Sequence, residues 1–183
     1  MNYRCRTIEN EYGAADVERI TGVSPDLQRD WRRRGILPKL SQPGRAKYNL
    51  SQIIEIAALK TLADAGLQVS EADYLAGLAI LPVVCNFLRW PDVYAFTGDE
   101  VSEEEKTEIL SRHVVGASDD DNWLFAALGR DDPIMGRTDD LRKLDGGLRG
   151  SKAAIIIDLT ALAHEIAARA SLPLITFDIE VLE

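Results

Sequence analysis

Cysteine and histidine are scarce here, two of each in 183 residues. Cys5 and Cys85 share no metal or redox spacing, so we expect no disulfide framework and a reducing compartment. His113 and His164 have neither a cysteine nor a carboxylate at ligand spacing, which argues against a metal site. Long apolar runs are missing as well. The longest, Tyr74–Leu88, is broken by Gly77, Pro82 and Asn86 and is too short to span a bilayer. The opening Met-Asn-Tyr-Arg-Cys-Arg lacks the apolar segment of a signal peptide. No membrane association is therefore expected, and the cytoplasm is the default location. There is neither a glycine loop with a P-loop lysine nor a dinucleotide fingerprint. No catalytic constellation emerges, so the expectation is a non-enzyme with no cofactor and no metal.

What is present is an ordinary soluble composition, 46% apolar and 28% charged, with a net charge of −9. That charge looks hostile to nucleic acid until it is divided. Residues 1–66 hold 11 Lys/Arg against 8 Asp/Glu, whereas residues 67–183 hold 10 against 22. The chain thus reads as a basic unit, 1–66, followed by an acidic one, 67–183.

Thr21–Pro38 is the most informative stretch. Ser24-Pro25 is a helix start, a capping oxygen followed by a ring already held at helical φ. Gly35 ends that helix, with Pro38 just beyond. Leu27 and Trp31 stand four apart and share a face, predicted to be buried. Asp26, Arg29, Asp30, Arg32, Arg33 and Arg34 fill the remainder. Upstream, Tyr12–Ile20 reads as a first helix, closed by Thr21-Gly22. Helix, glycine turn and helix form a helix-turn-helix, whose second helix enters the major groove. Downstream, Lys39–Tyr48 is a basic, turn-rich loop that suits a wing of two short strands around Pro43-Gly44. Asn49-x-x-Gln52 then resembles a capping box opening the next helix.

The Gly-Val-Ser turn, the arginine-rich helix with its Gly-Ile-Leu-Pro exit, the wing ending Arg45-Ala-Lys47-Tyr48 and the helix closing at Ala65-Gly66-Leu67 resemble the winged helix-turn-helix of the MerR family. The resemblance runs from about Tyr12 to Ala72. It implies that the recognition helix and wing bind double-stranded DNA, a role that carries over to Arg29, Arg45 and Tyr48. Gln28 and Asp30 depart from the family's usual apolar and aromatic residues, and no long C-terminal coiled coil follows. We expect Gln28, Arg29 and Arg33 at bases or nearby phosphates and Arg32 and Arg34 on phosphates. Arg45, Lys47 and Tyr48 should hold the flanking backbone.

The rest is less explicit. Residues 1–11 should be an extended arm or a strand joining the wing. Asn49–Ala65 reads as a helix with Ile53, Ile54, Ala57, Ala58 and Leu62 on one face, and Ser70-x-x-Asp73 starts another. Val83–Phe96 ends as a helix near Trp90 or continues into a strand after Pro91. Ser102-Glu-Glu-Glu105 is a capping box for a helix to about His113. Asp119-Asp-Asp121 caps a further helix through Leu128, and Gly129–Ser151 is a loop with one helical turn near Asp139–Leu144. Ala153–Ile157 is a strand, and a helix capped by Asp158 or Thr160 follows it. Leu174–Ile179 is a last strand, giving a parallel pair across the helix. His164 should be partly buried.

The expected class is α+β and mainly helical: an N-terminal winged helix-turn-helix plus an acidic C-terminal part with a strand-helix-strand tail. The expected function is a sequence-specific, DNA-binding transcriptional regulator, homodimeric through its C-terminal part. A nucleoprotein-assembly factor of the recombination-directionality or phage DNA-packaging type is the alternative. A protein-interaction adaptor is the third possibility.

Overall fold

The computed structural model describes residues 2–38, 46–114, 122–129, 134–144, 148 and 150–182. Its first strand, β1 (Tyr3–Glu9), precedes a short β2 (Tyr12–Gly13), helices α1 (Ala14–Thr21) and α2 (Pro25–Arg33), and β3 (Lys47–Tyr48). Three helices follow: α3 (Leu50–Asp64), α4 (Val69–Leu78) and α5 (Ile80–Phe87). Then come β4 (Tyr94–Gly98), α6 (Glu103–Val114), β5 (Trp123–Leu128), β6 (Ile134–Thr138), β7 (Ala153–Asp158), α7 (Leu159–Arg169) and β8 (Ile175–Val181). The class is α+β with a helix-turn-helix near the N-terminus.

The helix ends are set locally, as the sequence predicts. Ser24 Oγ accepts from Leu27 N, and Pro25 occupies the first turn of α2. At the exit, Gly35 N donates to Arg32 O and Ile36 N to Trp31 O, the paired bonds of a Schellman stop, with Gly35 at φ 80°. Gly66 ends α3 with the same two bonds, from Gly66 N to Ala63 O and from Leu67 N to Leu62 O. Asn49 and Gln52 exchange side-chain-to-backbone bonds of 2.9 and 3.0 Å at the start of α3. Ser102 and Glu105 do the same at α6.

α3 is the axis of the packing. Ile53, Ile54, Ile56, Leu59 and Leu62 are all fully buried, more of the helix circumference than one amphipathic face would cover. Each such side chain is worth about 1.5–3 kcal/mol in area removed from water. The helix touches α1, α4, α5, α7 and β7, so a single cluster of buried side chains runs from Tyr12 to Ile179.

Longer-range pairings depart from the sequence reading in several places. β1 does not join the wing; it pairs antiparallel with β8, Tyr3 opposite Val181. Tyr12 and Gly13, expected to open the first helix, form β2 and pair with β3. β7 and β8 are not a parallel pair. β8 lies between β1 and β4, parallel to the latter, while β7 pairs antiparallel with β5 in a separate sheet of order β6-β5-β7. Trp123–Leu128, expected to be helical, is that sheet's central strand, because a six-residue apolar run suits a strand covered on both faces. Ile134–Thr138 is a strand within the stretch expected to be loop, and it is followed by a single helical turn at Leu141–Lys143. α4 begins at Val69, just ahead of the expected Ser70 start. The Asp119–Asp121 cluster lies outside the described residues.

Candidate nucleic-acid interface

Two inward-facing groups hold α2 against the body. Trp31 is 2% exposed and packs in the core that includes Val17, Ile20 and Leu37. Gln28 is 1% exposed, and its amide donates to Ala14 O at 2.9 Å and Val23 O at 2.8 Å. Its Oε1 accepts a 3.0 Å bond from the Tyr48 hydroxyl. That hydroxyl in turn accepts from Arg32, whose guanidinium carbon stands 5.6 Å from the Tyr48 ring centroid. Arg32 Nε also donates to Pro38 O at 3.3 Å. The chain of Arg32, Tyr48 and Gln28 ties α2 to β3 and, through Ala14, to the start of α1.

This network corrects two expectations. Gln28 was expected at a base or nearby phosphate and Tyr48 on flanking backbone, yet both are buried and spend their polar atoms inside the protein. Sequence held a clue for Gln28: it stands three residues before Trp31 and follows Leu27, within the stripe that faces inward. Tyr48 held none, because its partner lies 20 positions away. Arg32, expected on phosphate, is half-buried and braced at the base of the wing.

The outward side keeps its charge accessible. Arg29, Arg33 and Arg34 have side-chain exposures of 69%, 79% and 53%. Each has an aspartate partner on the same helix. Arg29 pairs with Asp26, Arg33 with Asp30 at 2.5 Å, and Arg34 with Asp30 at 3.7 Å. The hydrogen bond from Arg33, helped by the nearby positive charges of Arg33 and Arg34, holds the Asp30 carboxyl below its ordinary range. Exposed pairs of this spacing are worth about 0–1 kcal/mol. A phosphate can therefore take over an arginine without a large loss. Lys47 is exposed and pairs with Glu11. Arg45 and the expected hairpin around Pro43-Gly44 lie outside the described residues.

The acidic part bonds to this module through α7. Arg19 of α1 donates to the Arg169 carbonyl near the C-terminus of α7, and Arg169 returns a 3.4 Å bond to Ile20 O. Nothing in local spacing announces this contact between residues about 150 apart. At the far end of α7, Asp158 Oδ1 accepts from Thr160 N and Ala161 N. Asn86, Asn122 and Thr160 link α5, β5 and α7 through bonds of 3.2–3.5 Å. His164 is exposed rather than partly buried, and stacks on Trp90 at 4.0 Å between ring centroids. Among the described residues, no cluster of three or more His, Cys, Asp or Glu could hold a metal ion. No single described helix is long and apolar enough to cross a membrane.

A buried tryptophan anchor, a glycine turn between two helices and an arginine-faced second helix braced on a strand define a helix-turn-helix. The comparison with protein families agrees: residues 12–76 match the model of the MerR HTH family regulatory proteins. The N-terminal part of the chain is a MerR-type helix-turn-helix, the domain of a family of DNA-binding transcriptional regulators. No curated protein matches the chain.

Proposed function

We propose that the protein is a sequence-specific transcriptional regulator that lays α2 in the major groove of double-stranded DNA. The observation that carries this reading is the division of α2 into two sides. Trp31 and Gln28 are fixed in the interior, while Arg29, Arg33 and Arg34 stand in solvent with only weak intrahelical partners. Arg29 and Arg33 are assigned to base edges or adjacent phosphates and Arg34 to a phosphate. Lys47 and Arg45 are assigned to the flanking backbone. Arg32 is reassigned from DNA contact to holding the wing strand against the recognition helix. Residues 1–66 form the DNA-binding part and 67–183 the part that dimerises or senses. The two share one core, so a change in one is transmitted by packing to the other. The protein acts in the cytoplasm as a homodimer, without catalytic activity of its own.

Fluorescence anisotropy with duplexes selected from a random pool tests the reading across a salt series. Binding should weaken steeply with salt as phosphate contacts release counterions. Arg34→Ala should lower the salt slope by about 1 and weaken all duplexes alike, and Arg33→Ala should act preferentially on the selected sequence. Circular dichroism of both variants should match the parent chain. Failure to bind any duplex at low ionic strength sinks the assignment.

A further inference from the structure

Among the described residues, no strand pairs with the outer edge of β7 in the sheet β6-β5-β7. Leu159 N donates to Asn122 O at 2.8 Å, continuing the register that sets Trp123 opposite Asp158. Antiparallel pairs alternate, so the odd-numbered residues of β7 direct their backbone groups at β5. The N–H and C=O of Ala154 and Ile156 therefore point away from the sheet. Among the described residues, the outer edges of the two three-stranded sheets other than β7 are guarded. β1 carries the exposed charges of Arg4 and Arg6, and β6 includes Arg137. β4 is half-buried over Tyr94–Phe96, with the Lys106 ammonium 5.8 Å from the Phe96 ring centroid. β7 has neither charge nor proline between Lys152 and Asp158. Ala153 and Ala154 are exposed on it, and Ile156 is 43% exposed. An open, apolar edge of this kind is a template for another strand.

We propose that β7 is the homodimer interface, pairing antiparallel with β7 of a second copy about a two-fold axis at Ile155. The charges select both the occupant and the register. With Ile155 on the axis, Ala154 faces Ile156 of the second copy, and Lys152, one residue before the strand and with its own N–H bonded to Leu128 O, reaches Asp158 of the second copy with its side chain, twice by symmetry. A shift of two residues in either direction breaks both charge pairs. Asp158 remains available because its helix-capping bonds both use Oδ1, leaving Oδ2 for the lysine. The backbone groups of Ala154 and Ile156 gain partners, and two three-stranded sheets become one of six. This inference names the surface behind the dimer of the proposed function and rests on that reading.

Sedimentation equilibrium on the full chain tests it, with Ile156→Lys and Lys152→Glu as variants. Each should raise the dimer dissociation constant by at least about tenfold, a change of about 1.4 kcal/mol. Lys152→Glu does so by opposing like charges across the axis. Should Ile156→Lys fail to fold, Lys152→Glu decides alone, because Lys152 is exposed. A dimer indifferent to both changes overturns the interface and leaves the homodimer standing. A chain that stays monomeric at about 100 µM, where a micromolar interface would be saturated, overturns both. Anisotropy with the selected duplex, run alongside, reports separately on DNA binding. An Ile155→Cys variant in a background lacking Cys5 and Cys85 should oxidise to a cross-linked dimer, and no cross-link would refute the register.

Discussion

Replacing Gln28 with leucine separates an architectural role from a base-reading one. In the folded chain the Gln28 amide donates to two carbonyls, of Ala14 and Val23, and accepts from Tyr48. Leucine fills most of the same space but leaves both carbonyls short of a donor and the Tyr48 hydroxyl without its acceptor. A buried polar group left unsatisfied costs about 1–3 kcal/mol. Arg32 still donates to the Tyr48 hydroxyl, so that loss is partial. Two full losses and one partial one should come to about 2–6 kcal/mol, which most domains of ordinary stability, about 5–15 kcal/mol, survive. With a urea slope of about 2 kcal/mol per molar, the unfolding midpoint should fall by about 1–3 M. Far-UV circular dichroism follows this transition, and Trp31 fluorescence, read in a background with Trp90 and Trp123 replaced by phenylalanine, should report the same loss if the helix pair and the body unfold together. An unchanged midpoint combined with an altered preference among duplexes would refute the reasoning, because it would place Gln28 at a base edge.

Two further perturbations test the acidic part and its joint with the winged module. Gly98 sits at φ 86°, and a Cβ there would stand 2.1 Å from Ile179 O, so Gly98→Ala must force β4 away from β8. Thermal unfolding should show a loss of about 2 kcal/mol or more, the strained conformation adding to the clash; an unchanged midpoint would mean that this pairing contributes nothing to stability. Glu55 has its carboxyl pushed above the ordinary 4.5, first by burial and then by the nearby Asp73. A carboxyl raised on folding favours the native state while protonated, and that contribution is lost as pH rises through the folded value. Glu55→Gln should therefore stabilise the chain at neutral pH and flatten the loss of stability that sets in as pH rises past 4.5, measured by urea midpoints; a destabilised variant would contradict this.

The sequence was most legible where structure is decided within a few residues. Ser24-Pro25, Gly35, the Asn49 and Ser102 capping boxes and Gly66 each fix a helix end by bonds to neighbours three to six positions away, and all stand where the spacing puts them. The same locality made the helix-turn-helix readable, since Trp31 and the arginines are sorted onto opposite sides by helical period alone. Legibility failed where partners are distant. An apolar run such as Trp123–Leu128 carries no sign of its fate until β6 and β7 arrive on either side, and Ala153–Ile157 could not announce whether its neighbour would be β5 or β8. The interior role of Tyr48 belongs to the same class.

The amino-acid order alone thus determined the MerR-type module, its capping and the basic side of its second helix, because those depend on short-range backbone bonding and side-chain periodicity. Tertiary structure decided which polar groups remain free to meet a partner. Packing α2 against α1 and β3 withdrew Gln28 and Tyr48 from the surface and left Arg29, Arg33 and Arg34 outside. Which strands join a sheet, and where an edge is left open, follows from contacts between residues far apart in the chain, where loop closure and shape complementarity outweigh any local preference.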